Sequence, residues 1–332
     1  MKAIFHTAIA ASIGLAVVSC GGSKSSPAPR PSTPAPTTFE VTGQAIKGII
    51  DGGLVEVYSA DDLKAPIGYA YSDMGSYTVD VEGAPAGVYL VRVTATDDTT
   101  MICDARPTCG DVEFGDTIPA TQLADLSLSS ITIADETGKV EANVNVITTL
   151  TTDVLLAAAD ANEDVDLAEV NEEQLKGLQQ ASSKVVGGLI GIDLSTTNVY
   201  DVKVVDVTQY NAESVVDAST SFSDSLSTLN ASYATLSEDG QTISEAIDAF
   251  TTNVESIAVL TLAPDFEETA EYTDLIAALT VKLESAEIAQ QAIKTVLAQD
   301  YPELTPEPTT TTPVVEEFSP TLPTGSTGSV SE

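Results

Sequence analysis

The sequence predicts an α+β chain of two domains, an antiparallel β-sandwich followed by a helical bundle. Three observations carry that prediction. Between Phe39 and Val146 apolar residues alternate in short runs, with Gly, Pro and Asp between them about every ten positions. From Thr148 onward the apolar spacing changes to that of amphipathic helices. Proline-rich stretches flank the whole, so the folded part is expected over 39–301, long enough for two domains that each bury a core. The expected segments are 1–19, 20–38, 39–146, 147–301 and 302–332.

The first segment opens with Lys2, continues in an apolar run from Ala8 to Val18, and closes on Val17-Val18-Ser19-Cys20. The run is too short for an ordinary spanning helix, and its anatomy is that of a signal peptide. Ending on a cysteine, it resembles a bacterial lipoprotein signal. The resemblance implies that 1–19 is removed and that Cys20 is lipidated, with palmitate-type chains on its sulfur-linked glycerol and amine. The implied partner is the lipid bilayer and the implied location the cell envelope. Each buried methylene adds about 0.8 kcal/mol of membrane affinity. Gly21 stands where the family's inner-membrane retention signal is Asp, which implies the outer membrane in a two-membrane cell.

Removing 1–19 removes His6, the only histidine. Ser-His-Asp and Cys-His catalysis and imidazole metal sites are thereby excluded. No lysine has a serine three residues before it, which excludes an S-x-x-K nucleophile. The chain holds 13 basic and 50 acidic residues, net −37, and loss of Lys2 leaves −38. Such a chain repels phosphate backbones, so no nucleic-acid partner is expected. Residues 21–38 form a spacer rich in Pro, Ser and Thr, extended at about 3 Å per residue. The far segment, 302–332, has six prolines and no Lys or Arg and is expected to be a disordered acidic tail.

Within 39–146, a strand starts near Val41 and ends near Gly48. Asp51-Gly52-Gly53 marks a turn. Val55 and Val57, then Tyr77, Val79 and Val81, then Tyr89, Val91 and Val93 each share one strand face. Two further strands are expected over 126–133 and 140–146. Gly43-x-Ala45, Gly52-Gly53 before Val55-x-Val57, and Ser72-Asp73-Met74-Gly75-Ser76-Tyr77 resemble the carboxypeptidase regulatory-like domain. The resemblance implies a transthyretin-like sandwich that serves as an accessory or binding module without activity of its own. One residue of the usual turn is missing between Asp73 and Gly75, so a tighter turn is expected. Cys103 and Cys109, the cysteines left after lipidation, are expected to form a disulfide in an oxidising compartment. That bond is read as a structural staple, with an exposed recognition loop as the alternative.

Asn143-Val144-Asn145-Val146-Ile147-Thr148-Thr149-Leu150-Thr151 resembles the strand-to-helix junction of exported lipoproteins that carry a helical domain. Helices follow over 149–159, from a capping box at Asn171/Gln174 to Gly187-Gly188, over 212–236, from a second box at Thr242/Glu245, and over 273–297. Residues 193–208 read equally as loop or short strand. Asp160, Asn162, Asp164 and Asp166 place oxygen ligands at alternate positions, which resembles half of an EF-hand-type loop. Val165 stands where the sharp-turn glycine belongs, and Asn171 where the bidentate Glu does. A solvated, crowded acidic loop is therefore the expectation, with Ca²⁺ as the alternative and no other cofactor. The functional expectation is a membrane-anchored, non-catalytic binding, adhesion or scaffolding module with an unknown protein or glycan ligand. A carboxylate-dependent hydrolase and a Ca²⁺-stabilised surface module are the alternatives.

Overall fold

A computed structural model describes residues 38–83, 86–134, 138–162, 165–210, 220–237, 240–262, 266–300 and 310–320. The predicted signal peptide, Cys20 and nearly all of the spacer lie outside these residues. The described strands are β1 (Thr38–Ile46), β2 (Ile50–Asp51), β3 (Leu54–Ser59), β4 (Asp62–Tyr71), β5 (Ser76–Glu82), β6 (Gly87–Thr94), β7 (Thr100–Ile102), β8 (Thr108–Cys109), β9 (Val112–Glu113), β10 (Thr117–Ile118), β11 (Ser127–Ala134), β12 (Lys139–Glu141) and β13 (Val144–Asn145). The helices are α1 (Val146–Ala161), α2 (Glu172–Ile190), α3 (Thr220–Ser232), α4 (Ile243–Leu262) and α5 (Ala270–Asp300). The chain is thus α+β, rich in antiparallel pairing, with its helices after its strands.

Period-two alternation places β5 cleanly: Tyr77, Val79 and Val81 are buried and their neighbours exposed. β5 pairs antiparallel with β1, whose Phe39 and Val41 also point inward. A second sheet runs β11-β6-β3-β4, antiparallel throughout. The two sheets meet where the rings of Phe39 and Tyr89 lie 4.8 Å apart. β12 and β13 depart from the antiparallel expectation, for both lie parallel to β1. The chain leaves β11 and returns along β1 in β1's own direction.

The turn at Met74-Gly75 is a two-residue one. Asp73 and Ser76 exchange backbone hydrogen bonds, and both central residues have positive φ, 47° and 79°. That is the I′ geometry, whose twist matches a hairpin. At Gly43 a Cβ would fall 1.9 Å from the Ala142 carbonyl, which also accepts the Tyr77 hydroxyl. Glycine there lets the β12–β13 connection close on β1.

β4 has no counterpart in the sequence expectation. Pro66 interrupts it, its inward residues Gly68 and Ala70 are small, and its bulky Ile67, Tyr69 and Tyr71 face out. It is an edge strand, where a missing N–H is tolerated, and its register against β3 shifts near Tyr58. β6 is buried on both faces. Tyr89, Val91 and Val93 face the other sheet, while Val88 joins Ile131, Leu155, Leu175 and Leu178 beneath α1 and α2. The unbroken apolar run of 88–91 is the trace of that double burial.

α1 begins at Val146, three residues before its expected start, because Asn145 caps it. The Asn145 side chain accepts from Ile147 and Thr148 N–H at 2.9 Å each, and Thr148 returns a hydroxyl to the Asn145 N–H. Thr149 accepts from Ser129 N–H at 2.8 Å and Thr148 donates to Ser129 O at 2.9 Å, which ties the helix to β11. The boxes at Asn171/Gln174 and Thr242/Glu245 form as expected. Residues 193–208 are loop with two short 3₁₀ turns, Val199–Asp201 and Val207–Gln209.

α2 does not stop at Gly187-Gly188. It runs to Ile190 and is capped by Gly191 at φ 77°. The glycines serve close approach instead. A Cβ on Gly188 would lie 2.3 Å from Val314 O, and one on Gly191 would lie 1.7 Å from Thr310 O. Residues 310–320, inside the expected disordered tail, rest on this end of α2. Thr310 N–H donates to Gly191 O and Val314 N–H to Gly188 O, at 2.8 Å each. Lys184 pairs with Glu316, and Phe318 packs on the core.

α3 also differs from expectation. Read as a one-faced helix, it is buried on all sides over residues 224–232. Its small polar residues are no obstacle, because Ser227 and Thr228 return their hydroxyls to the carbonyls four residues back. Expected core residue Val215 lies outside the described residues. Gln290, which breaks the apolar stripe of α5, is fully buried and donates to Ser225 O and Thr228 Oγ1 on α3. One hydrophobic cluster extends from Phe39 to Ala286 and includes Ala142, Val144, Val146 and Ile147. The change of secondary structure near residue 146 is therefore crossed by a continuous core. All described residues belong to the compact unit Pro36–Glu332.

Candidate functional site

The charged interior lies where β1, the loop after β7 and α3 converge. Gly48, at φ 66°, turns the chain out of β1 and leaves Lys47 pointing inward. Lys47 is 0% exposed and its partner Asp104 is 1% exposed. Lys47 Nζ donates to Asp104 Oδ1 at 2.9 Å and to Ala231 O at 3.1 Å. Gly48 N–H donates to Asp104 Oδ2 at 2.7 Å. Burial pushes the Asp104 carboxyl up, and Lys47 and the Gly48 amide pull it back.

Asp104 is held there by the staple beside it. Cys103 and Cys109 lie at bonding distance, with Cα atoms 5.7 Å apart, and both are fully buried. Cys103 N–H donates to Asp116 O at 2.8 Å, and the Arg106 guanidinium sits over the Phe114 ring. Only Pro107 and Gly110 of this tight loop are exposed. The geometry favours the structural staple over the recognition loop.

A second carboxyl, Asp206, stands at the same junction and is 3% exposed. Its Oδ1 accepts from the Thr208 N–H and hydroxyl. Its Oδ2 is buried and has no hydrogen-bond partner among the described residues. Burial and the neighbouring negative charge of Asp104 push its pKa up to about 6, against a pull from Thr208 and Lys47. Beside it lies a cavity of about 160 Å³ that Ile46, Met74 and Gln209 also line. Asn230 braces the junction. Its side chain donates to Ile46 O at 3.0 Å and accepts from Val146 N–H at 3.1 Å.

Elsewhere acids converge between α1 and α4. Burial and the charges of Glu255 and Asp248 raise Asp153 to about 7, with Arg92 opposing. On the surface, Ile67, Tyr69 and Tyr71 of β4 stand on one face with Met74 beyond them. Tyr69 is 70% exposed and Tyr71 59%.

Three of the four residues of the acidic loop are among the described residues. Asp160 ends α1 exposed, Asn162 is its C-cap, and Asp166 Oδ1 accepts from Ala168 N–H at 3.0 Å. Asp164 lies outside the described residues. Among the described residues no group of three or more metal-ligating side chains forms, and no helix is long and apolar enough to cross a membrane. Sequence reasoning missed Lys47, Asp104 and Asp206. Lys47 carried one signal: a lone lysine between apolar Ile46 and Gly48-Ile49-Ile50. The chain matches no family model and no curated protein.

Proposed function

We propose that this chain is an exported lipoprotein, anchored by acylated Cys20, whose body is a non-catalytic binding or scaffolding module. The reading includes a transthyretin-like sandwich, akin to the carboxypeptidase regulatory-like domain, and a helical part that braces it. The observation that carries the non-catalytic part is the placing of the perturbed charges. Lys47, Asp104 and Asp206 lie under the surface, where no substrate of ordinary size reaches them, while the bulky apolar side chains of β4 face outward. A protein partner that rests on Ile67, Tyr69 and Tyr71 is the ligand this face fits.

Anchoring depends on the Cys20 thiol, so Cys20→Ser is expected to abolish lipid labelling and leave the protein unprocessed or soluble. Full membrane retention of that variant at mature mass contradicts the anchor. For the ligand, a photo-crosslinking residue in place of Tyr69 or Tyr71 is expected to give one discrete adduct on intact cells. Its absence at both positions overturns the β4 surface.

The carboxylate-dependent hydrolase is the second reading, and Asp153 is the observation that favours it, because a carboxyl near pKa 7 facing Glu255 suits general acid work. Hydrolysis of a glycoside or ester panel that Asp153→Asn removes would place this reading first.

A further inference from the structure

Lys47 and Asp104 form a buried pair of unusual completeness. An amine and a carboxyl, both essentially inaccessible, are held 2.9 Å apart in an apolar junction. Desolvation makes a charged pair costly there, and transfer of one proton from Lys47 to Asp104 yields a neutral amine beside a neutral acid. The carboxyl carbon is one C–O bond beyond Oδ1, so the amine starts close to the roughly 3–3.5 Å of a near-attack geometry. Ala231 O fixes the nitrogen, and Gly48 N–H grips the oxygen on which negative charge would develop. A second buried carboxyl, Asp206, stands at the same junction, bonded through Oδ1 to Thr208 and not to either member of the pair.

We propose that Lys47 and Asp104 condense into an intramolecular amide cross-link. Lys47 Nζ attacks Asp104 Cγ, the N–C bond forms, and charge gathers on Oδ2 against the Gly48 N–H. One proton passes from the attacking nitrogen to Oδ1, its hydrogen-bond partner. The Cγ–Oδ1 bond then breaks and Oδ1 leaves as water. Lysine ammonium and aspartate become one amide and one water. No oxidant, reductant or activated donor is needed. The cavity beside Asp206 has room for the released water. The bond would tie the end of β1 to the stapled loop across 57 residues of sequence. A buried ion pair is thereby replaced by a neutral group whose carbonyl keeps the Gly48 hydrogen bond.

The test is the mass of the full-length mature protein after denaturation and reduction. One water less than the sequence requires is expected, together with a proteolytic peptide uncut after Lys47 and joined to the peptide holding Asp104. Lys47→Met and Asp104→Ala are expected to restore the full mass. An unmodified mass in folded wild-type protein after prolonged incubation overturns the proposal. So does a water loss mapped to the Asp51-Gly52 step, which has its own dehydration chemistry.

Discussion

Replacing Asp153 by Asn tests how burial and like charge act at the α1–α4 contact. The folded-state pKa is about 7 against 3.8 for the free group. Between those values the folded protein holds a proton that the unfolded chain has released. Stability is therefore present at low pH and is lost as pH rises toward 7, with little further change above it. For these two pKa values the linkage relation gives a loss of roughly 2–3 kcal/mol between pH 5 and pH 8 from this one side chain. Asparagine keeps the shape and carries no charge. The variant is expected to match wild type near pH 5 and to exceed it by roughly 2 kcal/mol at pH 8, where Asp153 ionised faces Glu255 and Asp248. Urea denaturation at pH 5, 6, 7 and 8, at constant ionic strength, measures this. The difference between the proteins cancels the general repulsion of so acidic a chain. A difference that does not change with pH, or a variant less stable at pH 8, refutes the reasoning. The second outcome would mean that the attraction of Arg92 outweighs burial.

Other substitutions probe other links. Cys103→Ala with Cys109→Ala opens a loop closed over a separation of six residues, and a loss of about 2 kcal/mol is expected in denaturant titration; a loss too small to measure would show the staple idle. Gly191→Ala forces a left-handed residue to carry a Cβ into the space of Thr310 O, at a backbone cost of about 1 kcal/mol. Release of 310–320 should follow, read as faster cleavage by a glutamyl endopeptidase at Glu316 and Glu317; equal rates would show that the tail does not depend on that cap. Ca²⁺ and Mg²⁺ at equal ionic strength are expected to raise the melting temperature alike, through screening; a Ca²⁺-specific rise that Asp164→Ala removes would restore the acidic loop as a site.

Much of the architecture is set by short-range physics and is written locally. The alternation of Tyr77, Val79 and Val81 commits β5 to one buried face, and the Asp73-Met74-Gly75-Ser76 turn reverses the chain within four residues, from β4 in one sheet to β5 in the other. The boxes at Asn171/Gln174 and Thr242/Glu245 set two helix starts, because a cap is satisfied within its own first turn. Under the proposed removal of 1–19, which takes His6 with it, composition alone leaves no imidazole for catalysis.

What only the tertiary structure decided depends on atoms distant in sequence. Gly187 and Gly188 read as a helix stop, yet Gly187 lets Ile192 and Leu194 approach while Gly188, with Gly191, is a bed for residues 310–320, and nothing near them announces a segment more than a hundred residues away. Gln290 reads as a flaw in the α5 stripe until α3 supplies Ser225 O and Thr228 Oγ1. β4 escaped notice because an edge strand needs neither full hydrogen bonding nor a continuous apolar face. The parallel course of β12 and β13 along β1 is likewise a matter of where the chain returns. The junction of Lys47, Asp104 and Asp206 is the clearest case. Its members are drawn from three separate segments, and their desolvation and mutual charge exist only once the chain has closed around them. A sequence records which side chains are charged, and folding decides which of them must share the same dry space.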